Sequence, residues 1–256
     1  MNLKLDGKHA LITGASKGIG FACAMRLAQE GCNVRLVART EVDLEAAKQR
    51  IAQHSRVEVK IFPCDLSQGE AARALMAANR DIDILINNAG AIPNGDIASI
   101  DEAAWREAWD LKVFGYINTC REAFTAMKER GTGVIINIIG VGGERPTPGY
   151  IVGGAGNSAL MALSRALGSD SLKYGVRVIG VNPGLIRTER LRTQMQRLAK
   201  LKFGDESRWQ ELVNPELPPG EPENIADTVA LLASDLSGYT TGTIVTIDGG
   251  ASARFA

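Results

Sequence analysis

The sequence predicts an α/β fold in which one doubly wound parallel sheet of about seven strands carries helices on both faces. Apolar runs of strand length alternate along the chain with segments of helical periodicity. These runs are apolar throughout, which is typical of parallel strands that are buried on both faces. The length of 256 residues, of which 45% are hydrophobic, suits one such domain with a sizeable core, predicted over residues 1–256.

The elements follow in chain order from these runs. The predicted strands are 8–13, 33–38, 57–62, 82–87, 134–139, 176–181 and 243–247, and the predicted helices are 19–30, 41–54, 70–79, 102–130, 158–174 and 224–233. The regular spacing breaks over 188–222, where a basic amphipathic piece precedes a proline-rich stretch. Because insertions after a late strand of such a sheet commonly cover the ligand crevice, we predict a mobile lid there.

A glycine-rich turn joins the first predicted strand to the first predicted helix, where residues 13–20 read T-G-A-S-K-G-I-G. Gly14 allows a tight turn, Gly18 lets a pyrophosphate approach the backbone, and Gly20 allows the helix to pack closely on the strand. A strand, a glycine turn and a helix start bring backbone N–H groups and the positive helix end onto a phosphate. The sequence therefore predicts a dinucleotide site of Rossmann type.

The same turn also fits a second motif, because residues 14–18 match G-x-S-x-G, the nucleophile elbow of α/β-hydrolases. A hydrolase of that type needs a histidine after the serine. The two histidines of the chain are His9 and His54, and no histidine follows His54. The order serine, acid, histidine cannot be completed, so the dinucleotide interpretation is preferred.

Composition argues against several other classes of function. Lys plus Arg and Asp plus Glu number 29 each, so no net charge favours a nucleic acid or an acidic partner. The apolar stretches are of strand length and residues 1–10 lack a signal-peptide pattern, so we expect no membrane segment and a cytoplasmic location. The cysteines are scattered, which predicts core positions and no metal site for Cys23, Cys32, Cys64 and Cys120.

Further landmarks accompany the glycine turn: Asp65-Leu66 after the third strand, N-N-A-G at 87–90, N-P-G at 182–184 with Thr188 behind it, and T-G-T-I-V-T-I-D-G-G at 241–250. Together and in this order they resemble the short-chain dehydrogenase/reductase family over nearly the whole chain. The resemblance implies an oxidoreductase that binds a nicotinamide cofactor and acts on an alcohol–carbonyl pair of a small molecule.

The resemblance also implies which residues contact the cofactor. Asp65 and Leu66 would flank the adenine, and the segment from Pro183 to Thr188 would hold the nicotinamide end. Alternatively, Asp65 could simply cap a helix, and Asn88 could close a turn. The full predicted set is Gly14, Ser16, Lys17, Gly18, Ile19, Gly20, Arg39, Asp65, Leu66, Asn88, Ala89, Gly90, Asn157, Pro183, Gly184, Ile186 and Thr188.

Charge favours NADP(H) over NAD(H). Relatives that bind NAD carry an acid at the end of the second strand, where it accepts hydrogen bonds from the ribose hydroxyls and repels a 2′-phosphate. Here that position is Ala38, followed by Arg39, and Lys17 lies in the glycine turn. Two cations near one ribose favour the 2′-phosphate of NADP, although both could instead be solvated surface charges.

The resemblance fails at the four positions of the family's usual chemistry. The family uses a tyrosine that exchanges the hydroxyl proton, a lysine four residues later, a serine that polarises the carbonyl, and an asparagine in the preceding long helix. Aligned on the flanking motifs, the serine position falls on Gly140 and the tyrosine position on Gly153. The lysine position falls on Asn157 and the asparagine position on Lys112. The family's ordinary mechanism is therefore not expected.

Three residues are candidates for a replacement catalytic site. Lys112 brings an amine into the helix that faces the vacated pocket, and partial desolvation would lower its pKa toward neutrality. Asn157 can still hydrogen-bond a ribose hydroxyl. Tyr150 would share a face with Asn157 if the helix there began early, although the Pro-Gly pair at 148–149 argues against an early start.

Two further features have alternative interpretations. The glycines of residues 153–156 leave room either for a bulkier ligand or for a close-packed helix of another subunit. Between residues 187 and 202 six basic residues accompany one acid, Glu189, so they could attract an anionic substrate such as a carboxylate or a coenzyme A ester, or form a solvated face. These basic residues are Arg187, Arg190, Arg192, Arg197, Lys200 and Lys202.

Two hypotheses for the whole chain remain open. The first is an NADP(H)-dependent oxidoreductase with a rearranged proton-transfer site. The second is a catalytically degenerate nucleotide-binding subunit that acts as a sensor or as the partner of a competent relative. In either case the resemblance implies a homo-oligomer, a tetramer or a dimer, or an assembly with a related subunit, and Trp105, Trp109 and Phe114 offer aromatic area for burial.

Overall fold

Seven parallel strands form the sheet of the computed structural model, which describes residues 2–254. They are β1 (His9–Thr13), β2 (Asn33–Ala38), β3 (Val59–Pro63), β4 (Ile84–Asn87), β5 (Gly133–Ile138), β6 (Val176–Pro183) and β7 (Ile244–Ile247), in the spatial order β3-β2-β1-β4-β5-β6-β7. The predicted α/β fold is confirmed. The predicted domain of 1–256 also includes Met1, Phe255 and Ala256, which lie outside the described residues.

The helices follow the strands as the alternating pattern predicts. They are α1 (Gly18–Gln29), α2 (Glu41–Ala52), α3 (Gly69–Ala77), α4 (Glu102–Trp109), α5 (Gly115–Arg130), α6 (Ile151–Gly168), α7 (Glu189–Phe203) and α8 (Pro222–Ala233). Apolar side chains of α1, α2 and α8 cover one face of the sheet, and those of α3 and α5 cover the other. Both faces of the strands are thus buried, as continuous apolar runs require.

The site is positioned by the point where the strand order reverses. β1 pairs with β2 on one side and with β4 on the other, so the loops that leave β1 and β4 diverge at the carboxyl edge of the sheet. Such a reversal opens a crevice at that edge, where ligands of doubly wound folds bind. β5 and β6 extend the same edge toward α6 and α7.

Helix α6 is the main departure from the predicted elements. It begins at Ile151 rather than at residue 158, and it ends at Gly168 rather than at residue 174. The glycines of its first turns suggested a later start because glycine weakens an isolated helix. Tertiary contacts outweigh this: a β-carbon on Gly156 would lie 3.3 Å from Nε1 of Trp109, and that nitrogen donates to the carbonyl of Val152 at 3.2 Å. The early start that the Pro-Gly pair argued against is therefore present.

The predicted helix 102–130 is also modified. A π-helical turn, Asp110–Phe114, separates α4 from α5. Inserted π turns occur often at functional sites because they redirect side chains. The remaining elements agree with the predicted bounds to within two residues. Within residues 2–254, the structure contains no helix with the length and apolar content needed to cross a membrane.

Candidate active site

A cleft of about 310 Å³ opens where the glycine turn after β1 meets the ends of β2, β3 and β4. It brings together most of the residues predicted to bind the nucleotide. Val37, Cys64 and Leu66 line it beside the glycine turn, and Cys64 was not predicted, although its position directly after β3 is the available signal. The predicted residues along the cleft are Gly14, Ser16, Lys17, Gly18, Ile19, Arg39, Leu66, Asn88, Ala89, Gly90 and Thr188.

The glycines of this turn are required by its geometry. Gly14 has φ +64° and Gly18 has φ +58°, the left-handed region that favours glycine. Gly20 does not line the cleft. A β-carbon there would lie 2.3 Å from the carbonyl oxygen of Gly14 and 2.5 Å from Nδ2 of Asn88, so only glycine lets α1 approach the turn this closely.

Asn88 fastens the loop after β4 to the glycine turn. Its Nδ2 donates to the carbonyls of Thr13 at 3.1 Å and Gly14 at 3.2 Å. The backbone N–H groups of Asn88 and Ala89 both donate to Oγ1 of Thr13, at 2.9 and 3.0 Å. These bonds hold the wall of the cleft in place before any ligand arrives.

The turn suits a pyrophosphate for an electrostatic reason as well. α1 begins at Gly18 with Lys17 as its N-cap. An ammonium cannot accept a hydrogen bond, so the side chain of Lys17 cannot satisfy the first N–H groups of the helix, and these remain for an anion. Asp65, in contrast, turns toward its own loop, where its carboxylate accepts from the N–H of Ser67 at 3.1 Å.

The two cations predicted near the ribose differ in their surroundings. Arg39 is exposed at the end of β2 and lines the cleft. Nζ of Lys17 lies 3.6 Å from a carboxylate oxygen of Glu189, at the start of α7, and both side chains are solvent-exposed. Part of the positive charge of Lys17 is therefore offset, whereas Arg39 lies against β2, where the adenosine ribose of such folds binds.

A second cavity of about 500 Å³ adjoins the first and shares Ile19, Asn88, Thr188 and Arg190 with it. It lies beyond the ends of β5 and β6, beneath α7. Its walls include the remaining predicted positions, both those for the nicotinamide end and those of the replacement chemistry: Lys112, Gly140, Tyr150, Asn157, Pro183, Gly184 and Ile186. Gly153 is covered by its neighbours.

Lys112 lies in the π-helical turn and is only 7% exposed. Its Nζ donates to the carbonyl of Ile139 at 2.7 Å, directly after β5. Burial, with a smaller contribution from the positive charge of Arg190, lowers the pKa of Lys112 to about 7. The amine is thus fixed in the cavity wall, and its pKa lies far below that of an exposed lysine.

Tyr150 fills the space left by the glycines. A β-carbon built on Gly153 would lie 2.0 Å from Cζ and 2.2 Å from Cε1 of the Tyr150 ring, and one on Gly142 would lie 3.0 Å from that ring. Burial raises the pKa of the Tyr150 phenol, and the guanidinium of Arg190 beside it partly opposes that rise. The Tyr150 ring therefore lies where the β-carbon of any larger residue at position 153 would be.

Asn157 and Gly140 also line the second cavity. Nδ2 of Asn157 donates weakly to the carbonyl of Gly140 at 3.4 Å. Within the described chain, Oδ1 of Asn157 is buried without a hydrogen-bond partner. A buried orphan acceptor beside a cavity calls for a donor from a ligand, and a hydroxyl group would satisfy it.

Helix α7 covers the second cavity with Leu191, Met195 and Leu198. Of the basic residues of the predicted lid, Arg190 reaches both cavities. Its guanidinium donates to the carbonyls of Gly90 at 2.9 Å and Ile92 at 3.2 Å, so α7 is bonded to the loop after β4. The other basic side chains of α7 lie outside this cavity.

Sequence reasoning missed several residues of the second cavity. Asn94, Arg145 and Thr147 line it but belong to loops without a motif. Two of these loops meet through the backbone, where the N–H of Gly95 donates to the carbonyl of Gly149 at 2.8 Å. That contact joins segments far apart in sequence, so the signal for these residues is tertiary.

Comparison with known proteins agrees with this geometry. Residues 8–199 match the family model of the short-chain dehydrogenases. The 2-keto-3-deoxy-L-fuconate dehydrogenase of Xanthomonas campestris is 35% identical over 253 residues, which are 97% of this chain and 81% of that protein.

Solved structures resemble the whole chain. L-sorbose reductase of Gluconobacter frateurii, in complex with NADPH and L-sorbose, superposes with a TM-score of 0.92 at 30% identity, covering 100% of both chains. An NAD⁺-bound xylitol dehydrogenase superposes with a TM-score of 0.88 at 27% identity, covering 96% of this chain and 100% of the other. The chain therefore belongs to the short-chain dehydrogenase family and is an NAD(P)-binding oxidoreductase of that type.

Proposed function

We propose that the chain is an NADP(H)-dependent oxidoreductase that interconverts an alcohol and a carbonyl, with Tyr150 exchanging the proton. The observation that carries the proposal is the Tyr150 ring, which lies where a side chain on Gly153 would begin. The family's tyrosine position falls on Gly153, so Tyr150 supplies a phenol to the same part of the cavity from one helical turn earlier.

The cofactor residues support NADP(H). The first turn of α1 and the glycines before it suit a pyrophosphate, and the orphan Oδ1 of Asn157 suits a ribose hydroxyl. When bound, the nicotinamide gives or takes the hydride. Relatives are known with NADPH and with NAD⁺, so the preference rests on charge: Ala38 supplies no acid, and Arg39 can form a bidentate contact with a 2′-phosphate.

The position of Tyr150 has a consequence for where the substrate binds. The Tyr150 ring ends near the β-carbon position of Gly153, whereas a tyrosine at 153 would place its hydroxyl several ångströms further into the cavity. The reacting oxygen must therefore approach closer to α6, or accept its proton through a water. The raised pKa of Tyr150 keeps the phenol protonated at neutral pH, and the positive charge of Arg190 stabilises the phenolate after proton donation.

Lys112 is the second group that we propose takes part. Its amine is anchored on Ile139 and lines the same cavity, so it can donate a hydrogen bond to the substrate oxygen or to a relay water. The names of the relatives, which refer to a keto-deoxy sugar acid and to L-sorbose, favour a small carbonyl compound as substrate.

Turnover by the purified chain tests the proposal. NADPH consumption is measured with L-sorbose and small oxo acids as probes, for the wild type and for Tyr150→Phe. We expect Tyr150→Phe to lower kcat by about 10²-fold or more while the Kd for NADPH stays the same, because the phenyl ring keeps the packing and loses the proton. Tyr239→Phe is the control, since that side chain is 95% exposed.

The alternatives give different results. An unchanged kcat in Tyr150→Phe would refute the role of Tyr150 and leave Lys112→Met as the next variant to test. Activity that emerges only when a related subunit is added would instead identify the chain as a degenerate partner.

We further infer that residues 188–222 act as a lid and that the protein is a homo-oligomer, a dimer or a tetramer. The bonds from Arg190 to the loop after β4 support a closed lid. Phe114 is 50% exposed beside the Trp105–Trp109 pair, whose ring centroids lie 6.2 Å apart, which supports burial in an interface. Sedimentation as a monomer at micromolar concentration would contradict the oligomer.

A further inference from the structure

The ionisable side chains that line the second cavity are Lys112, Arg145, Tyr150 and Arg190, so every charged one is a cation. Among residues 2–254, no Asp or Glu contributes to this lining. A cleft lined by one sign of charge concentrates ligands of the opposite sign. The imbalance is local, because acids and bases are equal in number over the chain.

Main-chain carbonyls hold the two arginines in place, and within the part of the chain that the structure describes neither forms a salt bridge with an acid. Arg190 donates to the carbonyls of Gly90 and Ile92, and Arg145 donates to the carbonyls of Ala251 at 3.2 Å and Arg254 at 3.3 Å. Main-chain carbonyls orient a guanidinium but leave its formal charge uncompensated, and each guanidinium has five N–H donors.

In the same region, the positive charge of Arg187 is compensated by an acid. Arg187 lies three residues before Arg190. The Nε atom of Arg187 is 3.0 Å from a carboxylate oxygen of Glu221. Arg187 does not line the second cavity. The arginine that faces the cavity therefore keeps its charge available, whereas its near neighbour is paired with an acid.

We propose that the substrate carries a carboxylate, which the uncompensated charges of Arg190 and Arg145 hold in the cavity while its carbonyl or hydroxyl group faces Tyr150. This rests on the proposed function, because it names the substrate class of the same site. A cavity of about 500 Å³ suits a small oxo or hydroxy acid. Arginine is suited to the role because its planar fork binds a carboxylate through two parallel bonds.

Matched substrates separate charge from shape. Pyruvate, acetoacetate and 4-oxopentanoate, which differ in the spacing of carbonyl and carboxylate, are each compared with their primary amides in NADPH consumption. We expect at least one acid to exceed its amide in kcat/KM by about 10-fold or more, since a charge-assisted contact is lost in the amide. Arg145→Gln should lower kcat/KM for that acid by about 10-fold, through KM, and leave the amide unchanged. Arg190→Gln should lower kcat/KM for the amide as well, because Arg190 also stabilises the Tyr150 phenolate, but the loss for the acid should be about 10-fold greater.

Arg197→Gln is the matched control, because Arg197 lies on the same helix but outside the second cavity. It should change neither substrate. The Kd for NADPH, measured for every variant, shows that the cofactor site remains intact. Equal kcat/KM for acid and amide, or equal losses for both in the arginine variants, would overturn the carboxylate while leaving the oxidoreductase proposal standing.

A binding measurement tests the opposite case, in which the carboxylate site exists but the proposed reaction does not occur. Calorimetric titration of the same acids into the complex with NADP⁺ needs no chemistry. Arginine-dependent binding of an acid in a protein without turnover would support the carboxylate site and refute the proposed reaction. Acetoacetyl-coenzyme A reduced faster than acetoacetate, with no loss in either arginine variant, would overturn the small-acid assignment in favour of a thioester.

Discussion

The turn after β1 and the segment between β5 and α6 are both rich in glycine, but the missing side chains serve different ends. Around Gly20 a β-carbon would meet main-chain atoms of Gly14 and Nδ2 of Asn88, which is itself bonded to the backbone of the turn, so the glycine lets α1 lie against the turn. Around Gly153 the neighbour is the ring of Tyr150. The first region is shaped for a ligand, and the second is filled by a side chain of the protein itself.

This difference decides which positions of the two regions can be exchanged. A backbone cradle tolerates few substitutions, because its atoms cannot rotate away. A side chain that fills a vacated space can be exchanged, as long as its volume is supplied from a nearby position. Tyr150 and Gly153 thus form one exchangeable unit, whereas Gly14 and Gly20 do not.

The largest effect is expected for Gly20→Ala. Its β-carbon would lie 2.3 Å from the carbonyl oxygen of Gly14, so α1 or the turn must move. We expect a loss of more than about 3 kcal/mol in the free energy of unfolding and no measurable NADPH binding. Chemical denaturation and calorimetry measure the two quantities. Gly149→Ala is the control, since a β-carbon there meets nothing within 4 Å, and it should change stability by less than about 0.5 kcal/mol.

Gly153→Ala completes that comparison, because its clash is with a side chain. In the wild-type background we expect it to cost about 1–3 kcal/mol, since the Tyr150 ring must leave its position. In a Tyr150→Ala background the same substitution should cost almost nothing, which a double-mutant cycle measures. Equal costs in the two backgrounds would show that the ring and Gly153 are not coupled.

The fold and the nucleotide cleft could be predicted from the sequence because their determinants are local. Apolar runs predict strands, and the spacing of Gly14, Gly18 and Gly20 directly reflects the turn. The wall of the second cavity, which includes Tyr150, is determined by contacts between distant segments. The loop that carries Tyr150 is bonded to the loop after β4 through Gly95 and Gly149, and the start of α6 packs on Trp109, so helix propensity alone gave too late a start.

Gly140 illustrates the same limit. The sequence predicts only that Gly140 falls at the family's serine position, whereas its φ of +132° shows a backbone that disfavours any side chain. Restoring the family's residues with Gly140→Ser, Gly153→Tyr and Asn157→Lys would therefore strain the backbone at 140 and displace Tyr150 at 153.

A medium effect is expected for Lys112→Met, measured as stability against pH. The pKa of Lys112 is about 7 in the folded protein and near its ordinary value of 10.5 when unfolded. Between these values the unfolded state binds more protons, so wild-type stability rises with pH by up to about 1.4 kcal/mol per pH unit. Lys112→Met lacks this contribution, because its side chain does not titrate.

The stability advantage of Lys112→Met should therefore be largest below about pH 7 and should shrink by about 2 kcal/mol between about pH 7.5 and pH 9. Urea denaturation of both proteins across this range measures the difference. Lys200→Met is a suitable control because Lys200 is exposed on α7. A difference between wild type and Lys112→Met that is constant with pH would show that the buried amine keeps its ordinary pKa.

The smallest effect concerns the cofactor preference, which depends on the nucleotide cleft alone. Arg39→Ala should weaken NADPH binding by about 10-fold and leave NADH nearly unchanged, because only NADPH carries the 2′-phosphate. Lys17→Ala should have a weaker effect, since Glu189 already offsets the charge of Lys17 at 3.6 Å. Ala38→Asp should shift the preference toward NADH by repelling the phosphate. Calorimetry measures the Kd of each variant for NADPH and for NADH. If the wild type bound both cofactors equally tightly, the predicted preference for NADPH would be wrong.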